Sequence, residues 1–288
     1  MINRQVTHTV QSDVWQMRHR VARLIGQQEL LDALYSWPVY ISTALGLLVS
    51  ILFVYNSLNF VRNSGLLILG RPFFVPALII SSLAILYLAA WATLAIARPR
   101  DLGSLRVLFF APVDPFGLIA GHVLAGLGLG VILTFTSAGM LMLVALSTNL
   151  PFPPQLLAGL LFSPIFGALA AAIGLCISAS APSSRAAMFF FGITFLVVTL
   201  IPAGYSALLS IPSSSPYYDA LLFIRTGLRT LRDILQWISP FSLLSTGLDA
   251  ALRASWFELF QRIAAALAGI FGWCMLAVWA LRRRGVLA

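Results

Sequence analysis

Few side chains in this sequence can do chemistry. It holds nine acids, three histidines and two cysteines, and all eighteen basic residues are arginine. Without lysine, neither a phosphate-binding loop of the form GxxxxGK[ST] nor a lysine Schiff base can be built. Any ATP-driven work therefore needs its nucleotide site on another polypeptide. Ion-coupled carriers place ionisable groups at mid-membrane. Here Asp13, Glu29, Asp32, Asp101, Asp114, Asp219, Asp233, Asp249 and Glu258 all fall outside the long apolar runs, so secondary active transport through this chain alone is not expected. Cys176 and Cys274 each sit in an apolar stretch and read as packing residues rather than disulfide or zinc partners. A haem anchor needs histidines on facing helices, whereas His8 and His19 precede the first apolar run and only His122 approaches one. That spacing predicts a hydrogen-bonded histidine near the membrane boundary. Asp219, Asp233 and Asp249 could serve a lipid-modifying enzyme, but their spacing better suits helix ends and arginine partners.

The elements that position these residues follow from composition. The 288 residues are 60% hydrophobic and 9% charged, with a mean hydropathy of +0.94. A soluble fold carries about 25% charged residues, so the chain is read as a membrane protein. Its +9 net charge lies between apolar runs, a pattern of topology and anionic lipid rather than nucleic acid. Charge-free runs cover 33–61, 72–97, 115–184, 186–218 and 263–281, and the third is split by Asn149-Leu150-Pro151-Phe152-Pro153-Pro154. A bilayer takes about 20 residues per helix. Six spans are predicted, near 38–58, 74–97, 116–147, 155–179, 186–210 and 260–281. Eleven arginines on the side of the two termini, against two in the short loops opposite, predict cytoplasmic termini in a plasma (inner) membrane. The hydrophilic start predicts that the first span is retained rather than cleaved.

Two amphipathic stretches lie outside the spans. Val14, Met17, Val21, Leu24 and Ile25 recur at helical spacing beside Arg18, Arg20 and Arg23, predicting a cytoplasmic interfacial helix within 1–37 that bends or breaks near Gly26, because Leu30 and Leu34 leave the stripe. Leu221, Ile224, Leu228, Leu231 and Leu235, with Arg225, Arg229 and Arg232 beside them, predict a helix on the outer membrane surface. The expected architecture is one all-α permease domain over 1–288: spans one to five over 38–211, an outer helical segment over 212–258, and the sixth span with its basic tail over 259–288. Gly121, Gly126, Gly128 and Gly130 with Ala125, and Gly167, Ala171 and Gly174, predict close helix packing on the third and fourth spans.

The second cytoplasmic loop carries most information. Asp101 can cap a short helix whose apolar side holds Leu102, Leu105, Leu108 and Phe109, Pro112 can end it, and Asp114-Pro115 reads as N-cap and first residue of the next span. Such a helix suits docking of another protein. Its order of residues, Gly103-Ser104-Leu105, then Leu108, Ala111-Pro112 and Gly121, resembles the coupling-helix loop of type-2 ATP-binding-cassette (ABC) exporter permeases. The likeness extends to the N-terminal helix, the six spans, Trp237-Ile238-Ser239-Pro240-Phe241 in the last outer loop, and the closing Arg282-Arg283-Arg284. Arg106 and His122 stand where the family often has Glu and Lys.

This resemblance implies half of a translocation pathway, completed by a second permease copy or a homologous permease. It would be driven by cytoplasmic ABC ATPase subunits that bind ATP and Mg²⁺, with no cofactor in this chain. It further implies coupling through Asp101, Leu102, Gly103, Ser104, Leu105, Arg106, Leu108 and Pro112. Tyr87, Trp91, Phe195 and Tyr205 are the candidate pathway-lining residues on the second and fifth spans, and the segment after Pro212 matches an outer re-entrant region. A hydrophobic, lipid-linked or amphipathic cargo is compatible with the absence of buried charge. The competing reading is a non-transporting membrane subunit that anchors or assembles a larger complex.

Overall fold

The computed structural model describes residues 20–64, 73–103, 114–211 and 218–284, and no strand occurs among them. The helices are α1 (20–34), α2 (Trp37–Ser64), α3 (Phe74–Leu94), α4 (Ala97–Asp101), α5 (Pro115–Thr148), α6 (Pro154–Leu161), α7 (Ser163–Ser180), α8 (Ser184–Leu209), α9 (Tyr218–Ile238), α10 (Pro240–Leu252) and α11 (Trp256–Arg284). Six segments are long and apolar enough to cross a bilayer: Trp37–Asn59, Phe74–Asp101, Pro115–Thr148, Pro154–Ser180, Ser184–Leu209 and Trp256–Arg283. The chain is an all-α, multi-pass membrane protein.

Local sequence explains most boundaries. Asn149 adopts the left-handed conformation (φ 53°) at the end of α5, and the Leu150 N–H returns to the Ala145 carbonyl at 3.1 Å, which satisfies carbonyls the helix leaves open. The fourth span is not the continuous helix expected over 155–179. It breaks at Phe162, because Pro164 near the start of α7 offers no N–H to the preceding turn.

Ile96, Leu118 and Leu281 share one buried cluster, so the ends of α3 and α11 and the start of α5 lie together at what we call the near end. The centre of the bundle is α7, packed on α3, α5 and α11. A Cβ added at Gly174 would stand 2.5 Å from the Ala89 carbonyl of α3, so only glycine allows that approach. Between α5 and α7, Thr134 Oγ1 lies 2.8 Å from Ser163 Oγ, with Ser81 and Ser137 buried nearby.

Two sequence expectations are corrected. The N-terminal helix does not break at Gly26. It is continuous over 20–34 and runs parallel to the first turns of α5, with Ile25 against Gly121, Leu30 against Gly128, and Ala33 clustered with Leu129 and Leu133. Gly26 permits contact, since a Cβ there would lie 3.1 Å from the Gly121 carbonyl. Leu30 and Leu34 leave the lipid-facing stripe because they pack against protein.

The amphipathic helix α9 does not lie alone on the outer surface. It descends antiparallel to α8: Leu221 and Arg225 lie by Leu208, Leu228 by Gly204, and Arg232 over the Tyr205 ring at 4.9 Å. The turn at Ser239-Pro240 brings Phe241 to a ring-centroid distance of 6.0 Å from Phe195, near the middle of α8. From there α10 climbs along the fourth span, Gly247 meeting Phe166 and Ala251 meeting Gly159. The pair is re-entrant. The leucine stripe of α9 is partly satisfied by α8, which removes the reason for it to float on lipid.

Candidate functional site

The best-defined polar construction is a clasp at the near end. Helix α3 stops at Leu94, and the N–H groups of Ile96 and Ala97 turn to Ser178 Oγ on α7, at 3.1 and 2.9 Å. Without that hydroxyl, two buried donors would have no acceptor. The chain resumes as α4, whose last two residues carry opposite charges. The Arg100 guanidinium donates to the carbonyls of Ala181 and of Ala179, the latter at 3.4 Å. Asp101 Oδ2 accepts from the Ser184 N–H at 2.8 Å and from Ser184 Oγ at 2.5 Å. Helix α7 ends at Ser180 and α8 begins at Ser184. A cation therefore meets the C-terminal carbonyls of one helix and an anion the N-terminal amides of the next, as the helix dipoles favour.

From Ser104 on, the stretch that Asp101 is predicted to cap lies outside the described residues. Asp101 closes α4, and its carboxylate is used across the fold on Ser184. Leu102, 74% exposed, and Gly103, also exposed, follow this clasp. Gly103 has φ +73° and no atom within 4 Å of a Cβ position among the described residues, so the glycine serves the backbone turn rather than packing. Ser104, Leu105, Arg106, Leu108 and Pro112 lie outside the described residues. Asp114 takes the N-cap backbone position with Pro115 after it, as expected, but its side chain makes no capping bond.

Behind the clasp lies a cavity of about 130 Å³ between α1, the α3–α4 junction and α5, walled mostly by apolar atoms and holding Gln28, Glu29 and His122 as its polar residues. His122, 3% exposed, places Nδ1 2.9 Å from the Leu118 carbonyl. A carbonyl only accepts, so Nδ1 carries the hydrogen. Nε2 faces Glu29 Oε1 of α1 at 3.5 Å. The histidine is therefore buried and hydrogen-bonded through Nδ1 within its own helix, while Nε2 is turned toward α1 without a hydrogen-bond partner among the described residues.

The four candidate pathway residues fall into two places. The Tyr87 hydroxyl lies 3.3 Å from Ser36 Oγ, and Tyr87 and Trp91 pack in the cluster holding Leu30, Leu34 and Leu129. Phe195 and Tyr205 instead face the re-entrant pair through Phe241 and Arg232. Of the acids considered for lipid chemistry, Asp233 lies 4.0 Å from Arg229 and Asp249 pairs with Arg253, each within one helix.

Sequence reasoning missed Ser178, Arg100 and Ser184 as a unit. The adjacent opposite charges of Arg100-Asp101 were the visible signal, but their partners lie some eighty positions away. Compared with protein-family models and with curated proteins, the sequence gives no match in either.

Proposed function

We propose that this chain is the membrane subunit of an ATP-driven exporter of the type-2 ABC class, forming half of a pathway and coupling to a separate cytoplasmic ATPase. The clasp carries the reading. It fixes the stem of the loop after Asp101 to the ends of both the fourth and fifth spans, so a push on Leu102 and the residues beyond it would be delivered to two more spans at once. A loop that merely rested on lipid would not need three cross-links at its stem. The sparsely covered fifth span, only 6% of whose most apolar window is buried, leaves a face for a second permease, and the re-entrant pair beside Phe195 and Tyr205 is placed to close the outer exit. On this reading the near end is cytoplasmic, in the plasma (inner) membrane, and ATP with Mg²⁺ binds to the partner.

The test is purification of the tagged protein in mild detergent from its native membrane, with identification of co-purifying chains and an assay of vanadate-sensitive ATP hydrolysis. Leu102→Asp is the informative variant, because Leu102 is exposed and outside the clasp. The expected outcome is a P-loop ATPase bound to the wild type and lost from Leu102→Asp, with thermal stability unchanged. Asp101→Arg should lose the ATPase and also loosen α8. Recovery with subunits of another kind, and no ATPase, would replace this reading with that of an assembly anchor.

A further inference from the structure

A groove of about 390 Å³ opens sideways between α5 and α11 at the near end, walled by Phe116, Ala120, Leu124, Leu267, Phe271 and Met275. Nearly every atom facing it is apolar, so water would find few partners there, and an empty void of this size would forfeit the dispersion contacts that packed interiors keep. It lies between two membrane-crossing helices, where the surrounding solvent is hydrocarbon. From Gly117 to Leu124 the groove runs roughly 10 Å along α5, within the roughly 15 Å depth of one leaflet.

The mouth is basic. On α11, Trp279 and Arg283 follow one and two turns beyond the lining residue Met275, and the Arg283 guanidinium lies 4.3 Å from the Trp279 ring centre. Arg282 is exposed on the same turn. On α1, Ala22 lines the groove, and Arg23 next to it in the chain is exposed. A tryptophan at the boundary and guanidinium groups beyond it are the usual surroundings of a lipid headgroup.

We propose that this groove is a binding site for an anionic phospholipid of the leaflet around the near end. One acyl chain lies between α5 and α11, and the phosphate is met by Arg282 and Arg283. The site is independent of whether the chain transports anything.

The experiment reconstitutes the full-length protein in phosphatidylcholine vesicles carrying either phosphatidylglycerol or phosphatidylcholine with a photoreactive acyl chain, then maps labelled peptides by mass spectrometry. Labelling around Val123 and Phe271 should be at least about fivefold greater with the phosphatidylglycerol probe, the effect of one arginine near an anionic headgroup. Leu124→Trp fills the groove from its exposed rim and should cut that labelling about tenfold at unchanged thermal stability, whereas Leu143→Trp, exposed near the other end of α5, should leave it unaltered. The paired change Arg282→Gln and Arg283→Gln should bring the phosphatidylglycerol signal down to that of phosphatidylcholine while keeping the groove labelled. Equal labelling by both probes in the wild type, labelling indifferent to Leu124→Trp, or a groove protected from both lipids by a second copy of the chain would each overturn the proposal.

Discussion

The fourth and fifth spans, α6–α7 and α8, are nearly equal in apolar character but not in surroundings: 67% of the most apolar window is buried in the fourth and 6% in the fifth. Residue size separates them. Helix α7 presents Gly167, Ala168, Ala171, Ala172, Gly174 and Leu175 to its neighbours, and small side chains let backbones come together where hydrophobicity supplies no drive for helices to associate. Helix α8 turns Phe189, Phe190, Ile193, Leu196 and Leu200 outward and keeps only a narrow stripe, including Phe195 and Tyr205, for the re-entrant pair. In a bilayer, hydropathy tells which segments cross, and size tells which of them form the core.

The contrast can be broken most sharply at glycine. Gly174→Leu on α7 must displace the backbone of α3, and we expect a loss of about 3 kcal/mol, seen as a lower unfolding temperature or an aggregated elution profile in detergent. In the isolated chain, Gly192→Leu on α8, where a Cβ meets nothing within 4 Å among the described residues, should leave both unchanged. Equal damage at the two sites would mean that α8 is packed in the assembled protein.

A smaller effect is expected at the clasp. Ser178→Ala leaves the Ile96 and Ala97 N–H groups without their acceptor, costing about 2 kcal/mol, and amide exchange at those two positions should accelerate. Ser206→Ala on α8, whose hydroxyl only returns to the Ala203 carbonyl of its own helix, should change stability by less than about 0.5 kcal/mol.

Smaller again is the aromatic seam. Phe195→Ala removes the edge-to-face contact with Phe241, worth about 1 kcal/mol beyond its buried area, and should raise exchange in α9 and α10. Phe189→Ala on the exposed face should not. The smallest term is the hydroxyl pair between α5 and α7. A double-mutant cycle of Thr134→Val and Ser163→Ala should give a coupling of about 0.6 kcal/mol, whereas Thr194 of α8 bonds only within its own helix and should couple to neither.

The placement of the six spans was legible because charge-free runs and the turn residues at Asn149 act locally, each within a few residues of its effect. The break at Phe162 was legible in principle through Pro164, a residue that removes a helix donor wherever it stands. The continuity of α1 was not, because the stripe of Leu30 and Leu34 is apolar whether it meets lipid or protein. Nor was the descent of α9 along α8: an amphipathic pattern specifies that one face is apolar, not what will cover it. In the candidate site, Asp101 stood out as a capping residue, but the helix whose N-terminal amides it meets did not.

The sequence by itself determined that this is an all-helical membrane chain, where its spans begin and end, and that it has no phosphate-binding loop of its own, because these follow from local composition and residue inventory. Only the tertiary structure decided that Arg100 and Asp101 join the ends of α7 and α8, that His122 faces Glu29, which helices α9 and α10 pack against, and which apolar helix forms the centre. Those outcomes depend on contacts between residues far apart in the chain, and in lipid they turn on shape and polar pairing, which a hydropathy pattern does not encode.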